Sequence, residues 1–162
     1  VHLCARIKRA KRRGRIVMSD AIVQAARRWI GTPYHHQQSQ YGVGTDCLGL
    51  IRGVWRELAG AEPEATPAYT QDWSEPQGDE ALWRAALRHL RQKGPGDDAP
   101  GDLLLFRMRS GAVAKHLGIA ARIGTAPTFI HAYSGHGVVE SALTPPWRRR
   151  IVARFALAER IA

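Results

Sequence analysis

Cys47, His116 and His131 are the side chains whose types could together attack an acyl group. Cys47 follows Thr45-Asp46, either of which can cap a helix, and precedes Leu50, Ile51, Val54, Trp55 and Leu58 at three- and four-residue spacing. The thiol therefore falls in the first turn of a predicted helix, where the positive end of the macrodipole lowers its pKa toward the nucleophilic thiolate. Such a thiol needs a histidine to take its proton and return it to the leaving group, and a third polar group to orient that imidazole. His116 opens His-Leu-Gly-Ile-Ala and His131 stands within Phe-Ile-His-Ala-Tyr, on consecutive predicted strands. A hairpin register that sets them opposite one another brings the rings side by side. Each residue alone also has a plainer reading. Cysteine is among the most buried residue types, and a strand histidine is ordinarily a half-buried side chain, so the trio stands only if the fold converges it.

The elements that must achieve this follow from periodicity. Ser19 is a good N-cap for a first helix whose inward stripe is Ile22, Ala25, Ala26, Trp29 and Ile30, ended by Gly31 and Pro33. Residues 34–44 form a polar loop, and the helix opened by Cys47 follows. Residues 60–79 are interrupted by Pro63, Pro67 and Pro76 and read as a long surface loop carrying Tyr69 and Trp73. A third helix has Leu82, Trp83, Ala86, Leu87 and Leu90 inward. Beyond a turn-rich stretch the period becomes that of strands, at 103–108, 116–123, 128–133, 137–141 and 151–157. Helices followed by strands with short connections predict an α+β fold, N-terminal helices packed on an antiparallel sheet of about five strands.

Composition narrows the class. A length of 162 residues with 44% hydrophobic residues suits one domain with its own core, and no window approaches the roughly 18 apolar residues of a membrane span. The net charge of +10 is concentrated in residues 1–17, which hold seven cations and no acid, leaving the body mildly basic. That leader lacks the apolar run of a secretory signal. Met18 directly before Ser19 is the expected natural start, so the expected division is a basic leader at 1–17 outside the native chain and a single domain at 18–162; the alternative is a basic arm that docks on an acidic partner. Cys4 and Cys47 are expected to be free thiols. Nucleic-acid binding is not expected, because the body has no recognition-helix pattern. His35, His36, His116, His131, His136 and Glu140 have no metal-ligand spacing, so neither a metal nor another cofactor is expected.

Five segments in order, Gly31-Thr32-Pro33-Tyr34, Thr45-Asp46-Cys47-Leu48-Gly49-Leu50, Pro100-Gly101-Asp102-Leu103, Lys115-His116-Leu117-Gly118-Ile119 and Ile130-His131-Ala132, resemble the signature of the NlpC-type cell-wall peptidases. The chain is most similar to the single-domain branch found in phage tails and gene transfer particles, also in Tyr34-His35-His36-Gln37 and Trp147-Arg148-Arg149-Arg150. The resemblance implies a papain-like fold and hydrolysis of γ-D-glutamyl to diaminopimelate bonds in peptidoglycan stem peptides. It implies Cys47 as nucleophile, His116 as general base and acid, and His131 as the orienting third member. Tyr34 would lie near the oxyanion with the Cys47 backbone N–H, and Asp46 would contact the amino end of the stem peptide or simply cap its helix. Two departures bear on substrate preference: Leu48 replaces the usual serine, and His35-His36-Gln37-Gln38 replaces a glycine-rich stretch lining the groove. With no export signal expected, carriage on a phage-like tail to the wall or periplasm of a target cell would deliver the domain. Tail or baseplate proteins would then be partners, docking on the Tyr69 and Trp73 loop or on the Trp147-Arg148-Arg149-Arg150 stretch. The alternative function is a structural tail protein that keeps the fold for docking alone.

Overall fold

The structure, a computed structural model, describes residues 2–71 and 78–161. Helix α1 (His2–Arg28) runs unbroken through Met18 and Ser19, so the helix start expected at Ser19 is not found. The preceding Arg, Lys, Ala and Leu residues are strong helix formers and extend the helix by propensity alone. Residues 4–17 are exposed, whereas Ile22, Val23, Ala25, Ala26 and Trp29 are in the core. Ile30, expected on the same stripe, lies beyond the last helical turn and is exposed.

A small ribbon, β1 (Ser39–Gln40) with β2 (Gly44–Thr45), leads into α2 (Cys47–Ala59). Asp46 is the N-cap, accepting a hydrogen bond from the Gly49 N–H, and this fixes Cys47 as the first helical residue. Two glycines let α2 pack close. A Cβ at Gly53 would strike the ring of Trp29, the residue that follows α1, and one at Gly49 would strike the Gln38 carbonyl. After the Pro-rich loop comes α3 (Ala81–His89), of which only Leu82 is buried.

The remaining chain forms β3 (Leu103–Phe106), β4 (His116–Arg122), β5 (Thr128–Tyr133), β6 (Gly137–Ala142), α4 (Pro145–Arg148), β7 (Ile151–Phe155) and α5 (Leu157–Ile161). The strands build one antiparallel sheet in the order β6-β5-β4-β3-β7. Alternation sorts their side chains between two faces. Leu103, Leu105, Leu117, Ile119, Ala121, Ile130 and Ala132 meet Leu50, Val54, Trp29 and Leu157 in the main core under α1, α2 and α5. Leu104, Phe106, Ala120, Phe129 and Leu143 form a smaller cluster on the opposite face, with Met108, Trp147 and Ile151 packed against it. The helices-then-sheet order agrees with the α+β architecture read from the sequence. Among the described residues, no helix is long and apolar enough to cross a membrane.

Candidate active site

The site lies where the N-terminus of α2 meets the start of β4. Cys47 is 8% exposed, and its thiol donates to the Lys115 carbonyl at 3.8 Å. Cys47 and His116 line one cavity of about 400 Å³, together with Tyr34, Tyr69 and Tyr133. Burial pushes the Cys47 thiol up to about 12, and the neighbouring Asp46 carboxylate adds to the effect. Backbone N–H groups of Leu117, Leu48 and Cys47 act the other way without prevailing. The helix-terminal lowering expected from the sequence is thus outweighed by desolvation, and the resting thiol is protonated.

His116 and His131 do converge, but diagonally. The pairing of Ile119 with Ile130, continued along the strands, sets Gly118 rather than His116 across from His131. The rings meet, with His116 Nε2 2.8 Å from His131 Nδ1. A Cβ at Gly118 would come within 2.8 Å of Phe129 Cδ2, so the missing side chain is what lets the Phe129 ring lie there. Phe129 in turn stacks on His131, ring centroids 4.2 Å apart. The far nitrogen of His131, Nε2, is 3.0 Å from Ser141 Oγ on β6.

Both imidazoles are buried, His131 to 1% exposure. Burial first, then the neighbouring His131, holds His116 down to about 3; burial first, then His136, holds His131 down to about 4. Both rings are therefore neutral at rest. Since Nε2 of His116 is engaged with His131, Nδ1 is the nitrogen left to accept a proton.

Tyr34 bridges to Thr45 and faces the cavity. Burial first, then Cys47 and Asp46, pushes its phenol up to about 12, so it remains a proton donor through the neutral range. Asp46 is 2% exposed, and both of its oxygens serve the chain. Oδ1 accepts from Gly49 N–H at 2.8 Å; Oδ2 accepts from Gln37 N–H at 2.8 Å and from the Tyr69 hydroxyl at 2.5 Å. Leu48 is not brought to this cavity; it packs against the main core and lines a separate apolar cavity between α2 and α3.

Two residues expected on exposed docking surfaces are part of this site instead. Tyr69 is gripped at both ends, its hydroxyl by Asp46 and its carbonyl by His36 Nε2 at 3.0 Å and Gln37 Nε2 at 2.6 Å. The His-Gln stretch that replaces a glycine-rich one therefore pins the Pro-rich loop to the cavity wall, with Gln37 in the left-handed region at φ 63°. Trp147 packs on Phe106, Phe129, Tyr133, His116 and His131. Trp73 lies outside the described residues. Sequence reasoning missed Ser141 and the Tyr69 clasp. The first was reachable from the β5–β6 register, which pairs His131 with Val139 and sets Ser141 one step diagonal; the second had no local signal. Among the described residues no group of His, Cys, Asp or Glu is arranged to hold a metal ion.

A thiol at a helix N-terminus thus shares a cavity with a strand-borne imidazole that a second, buried imidazole backs, the set of groups a cysteine nucleophile requires. Residues 31–155 match the NlpC/P60 family, and the chain belongs to it. That is a family of cysteine peptidases associated with peptidoglycan hydrolysis. No curated protein matches the chain in sequence. The fold is similar to that of an NlpC/P60 family protein from Bacillus cereus, with 19% identity and a TM-score of 0.56 over 84% of this chain and 39% of that one. It is similar also to a lipoprotein-like NLP/P60 family protein from Staphylococcus aureus (22%, 0.55, 85% and 40%) and to NlpC1 from Trichomonas vaginalis (20%, 0.53, 84% and 42%). The chain spans less than half the length of these three.

Proposed function

We propose that the chain is a cysteine endopeptidase that cleaves peptidoglycan stem peptides at γ-D-glutamyl to diaminopimelate bonds. The observation that carries the reading is that Cys47 shares its cavity with His116, whose Nε2 is hydrogen-bonded to the buried His131 behind it. Both reacting groups are neutral at rest, so the proton passes from Sγ to His116 Nδ1 as sulfur attacks the peptide carbonyl, and the imidazolium exists only while the tetrahedral oxyanion does. The Cys47 backbone N–H and the Tyr34 hydroxyl steady that oxyanion, each worth roughly 3 kcal/mol where such donors have been removed. His116 then gives its proton to the leaving amine, the carbon–nitrogen bond breaks and a thioester remains. Water, deprotonated by His116, hydrolyses the thioester and frees the thiol.

Leu48 has no place in this chemistry, and Asp46 acts through Tyr69 by holding the cavity wall. The test is hydrolysis of purified sacculi with the released muropeptides read by mass spectrometry. Wild type should release fragments cut between D-glutamate and diaminopimelate; Cys47→Ala and Cys47→Ser should release none while keeping the wild-type melting temperature. Near-normal release by either variant would overturn the cysteine mechanism. Delivery on a phage-like tail follows from the motif resemblance to that branch. It is tested by whether the protein is present in stoichiometric amount at the tail end of purified particles; particles that lack it would sink the idea.

A further inference from the structure

The histidine pair works only in one of its two proton arrangements. If His116 carries its proton on Nε2 and donates to His131 Nδ1, then His116 Nδ1 is bare and can accept the proton of Cys47. If His131 instead donates from Nδ1, the His116 proton must sit on Nδ1, and the ring cannot act as a base toward the thiol. The productive arrangement places the His131 proton on Nε2, which is the nitrogen 3.0 Å from Ser141 Oγ.

Packing cannot make this choice. Phe129 lies 4.2 Å from the His131 ring at 34° and Tyr133 5.4 Å at 28°, while Trp147 stands edge-on at 5.2 Å. These contacts fix the plane of the ring but do not tell a ring nitrogen from a ring carbon; a half-turn about the Cβ–Cγ bond would suit them almost as well. Only the hydrogen bonds to His116 and Ser141 distinguish the two orientations. Ser141 is half-buried, so its own hydroxyl proton can turn outward while its oxygen accepts.

Resting on the peptidase reading, we propose that Ser141 is a positioning residue, the fourth member of a Cys47–His116–His131–Ser141 relay, which accepts from His131 Nε2–H and so keeps Nδ1 turned toward His116. It touches neither substrate nor thiol. When His116 takes up the thiol proton, Ser141 and His131 align as successive acceptors behind the new positive charge.

The experiment compares wild type with Ser141→Ala, and Ser141→Thr with Ser141→Val. The last two have nearly the same shape, both suit an edge strand, and they differ in the hydroxyl, so a fold defect in the alanine variant does not block the comparison. Each is assayed on a stem peptide for kcat and KM, and its imidazole protons are located by proton–nitrogen correlation NMR on labelled protein. Loss of one such hydrogen bond should lower kcat about tenfold in Ser141→Ala and Ser141→Val with KM unchanged. Their His131 should show mixed tautomers, and Ser141→Thr should retain both rate and a single Nε2–H form. A Ser141→Val variant with the kcat of Ser141→Thr and one Nε2–H tautomer would overturn the proposal. Should wild type fail to cleave peptidoglycan at all, the peptidase reading falls, while the NMR arm still decides whether Ser141 orients His131.

Discussion

The two faces of the sheet are built from different materials. The face under the helices is largely aliphatic, with Phe155 among its residues, and is closed over by α1, α2 and α5. Among the described residues the opposite face carries a cluster of five buried apolar residues, and its centre is a group of rings in which two imidazoles stand among Phe106, Phe129 and Trp147. Cys47 belongs to the helix side, His116 and His131 to the aromatic side, and Cys47 and His116 share a cavity at the end of the sheet where β4 begins. Aliphatic packing is indifferent to small rotations of a side chain, whereas a flat ring between flat rings has few options. One face supplies stability, the other supplies orientation.

That division should appear most strongly in rates. His116→Ala should lower kcat by ~10⁴-fold, and His131→Asn, whose amide can still orient His116, by ~10- to 100-fold, neither with a large change in melting temperature. Equal loss in both, measured by single-turnover hydrolysis, would show that His131 does more than orient. On the helix face the opposite holds. Leu50→Ala should cost about 3 kcal/mol by denaturant titration, with kcat of the folded fraction unchanged. A Leu50 variant that keeps its stability but loses turnover would erase the contrast between the faces.

Acid should attack the aromatic face first. His116 and His131 have folded values of about 3 and about 4 against an ordinary 6.5, so the unfolded chain binds protons that the folded chain refuses. Stability therefore falls as pH drops from about 6.5 toward 3, and His116→Ala should flatten that limb of a denaturation-against-pH curve. At the other end the Cys47 thiol, up near 12 rather than 9, makes stability decline as pH rises above 9. The smallest effect belongs to the clasp. Tyr69→Phe removes one charge-assisted hydrogen bond to Asp46 and should cost about 1–2 kcal/mol, with KM raised more than kcat is lowered.

Much of this was legible in the chain. The strand starts at 103, 116, 128, 137 and 151 coincide with the observed ones because each follows a turn and opens an apolar run. The start of α1 was not legible, since an N-cap residue inside a run of strong helix formers carries no stop signal of its own. The trio could be named from residue type, motif order and the family resemblance, but the diagonal meeting of the histidines depends on a register, with an irregularity between Ala120 and Arg122, that no local pattern encodes. Tyr69 and Trp147 looked like surface aromatics because loop and turn residues usually are. Their partners lie 23 residues away at Asp46 and across the sheet at Phe106, and such contacts are decided by tertiary packing alone.

Gly118 shows how little material separates a working pair from two unrelated side chains. It contributes a hydrogen atom where every other residue would contribute at least a methyl group, and the Phe129 ring occupies the space so released. A designer who grafted only Cys47, His116 and His131 onto another antiparallel sheet would have copied the reactive atoms and left out the gap. On such a scaffold a side chain at the position of Gly118 would displace the phenyl ring that lies against His131. The transferable unit is therefore a catalytic trio together with a vacancy, and the vacancy has to be specified as deliberately as the residues around it.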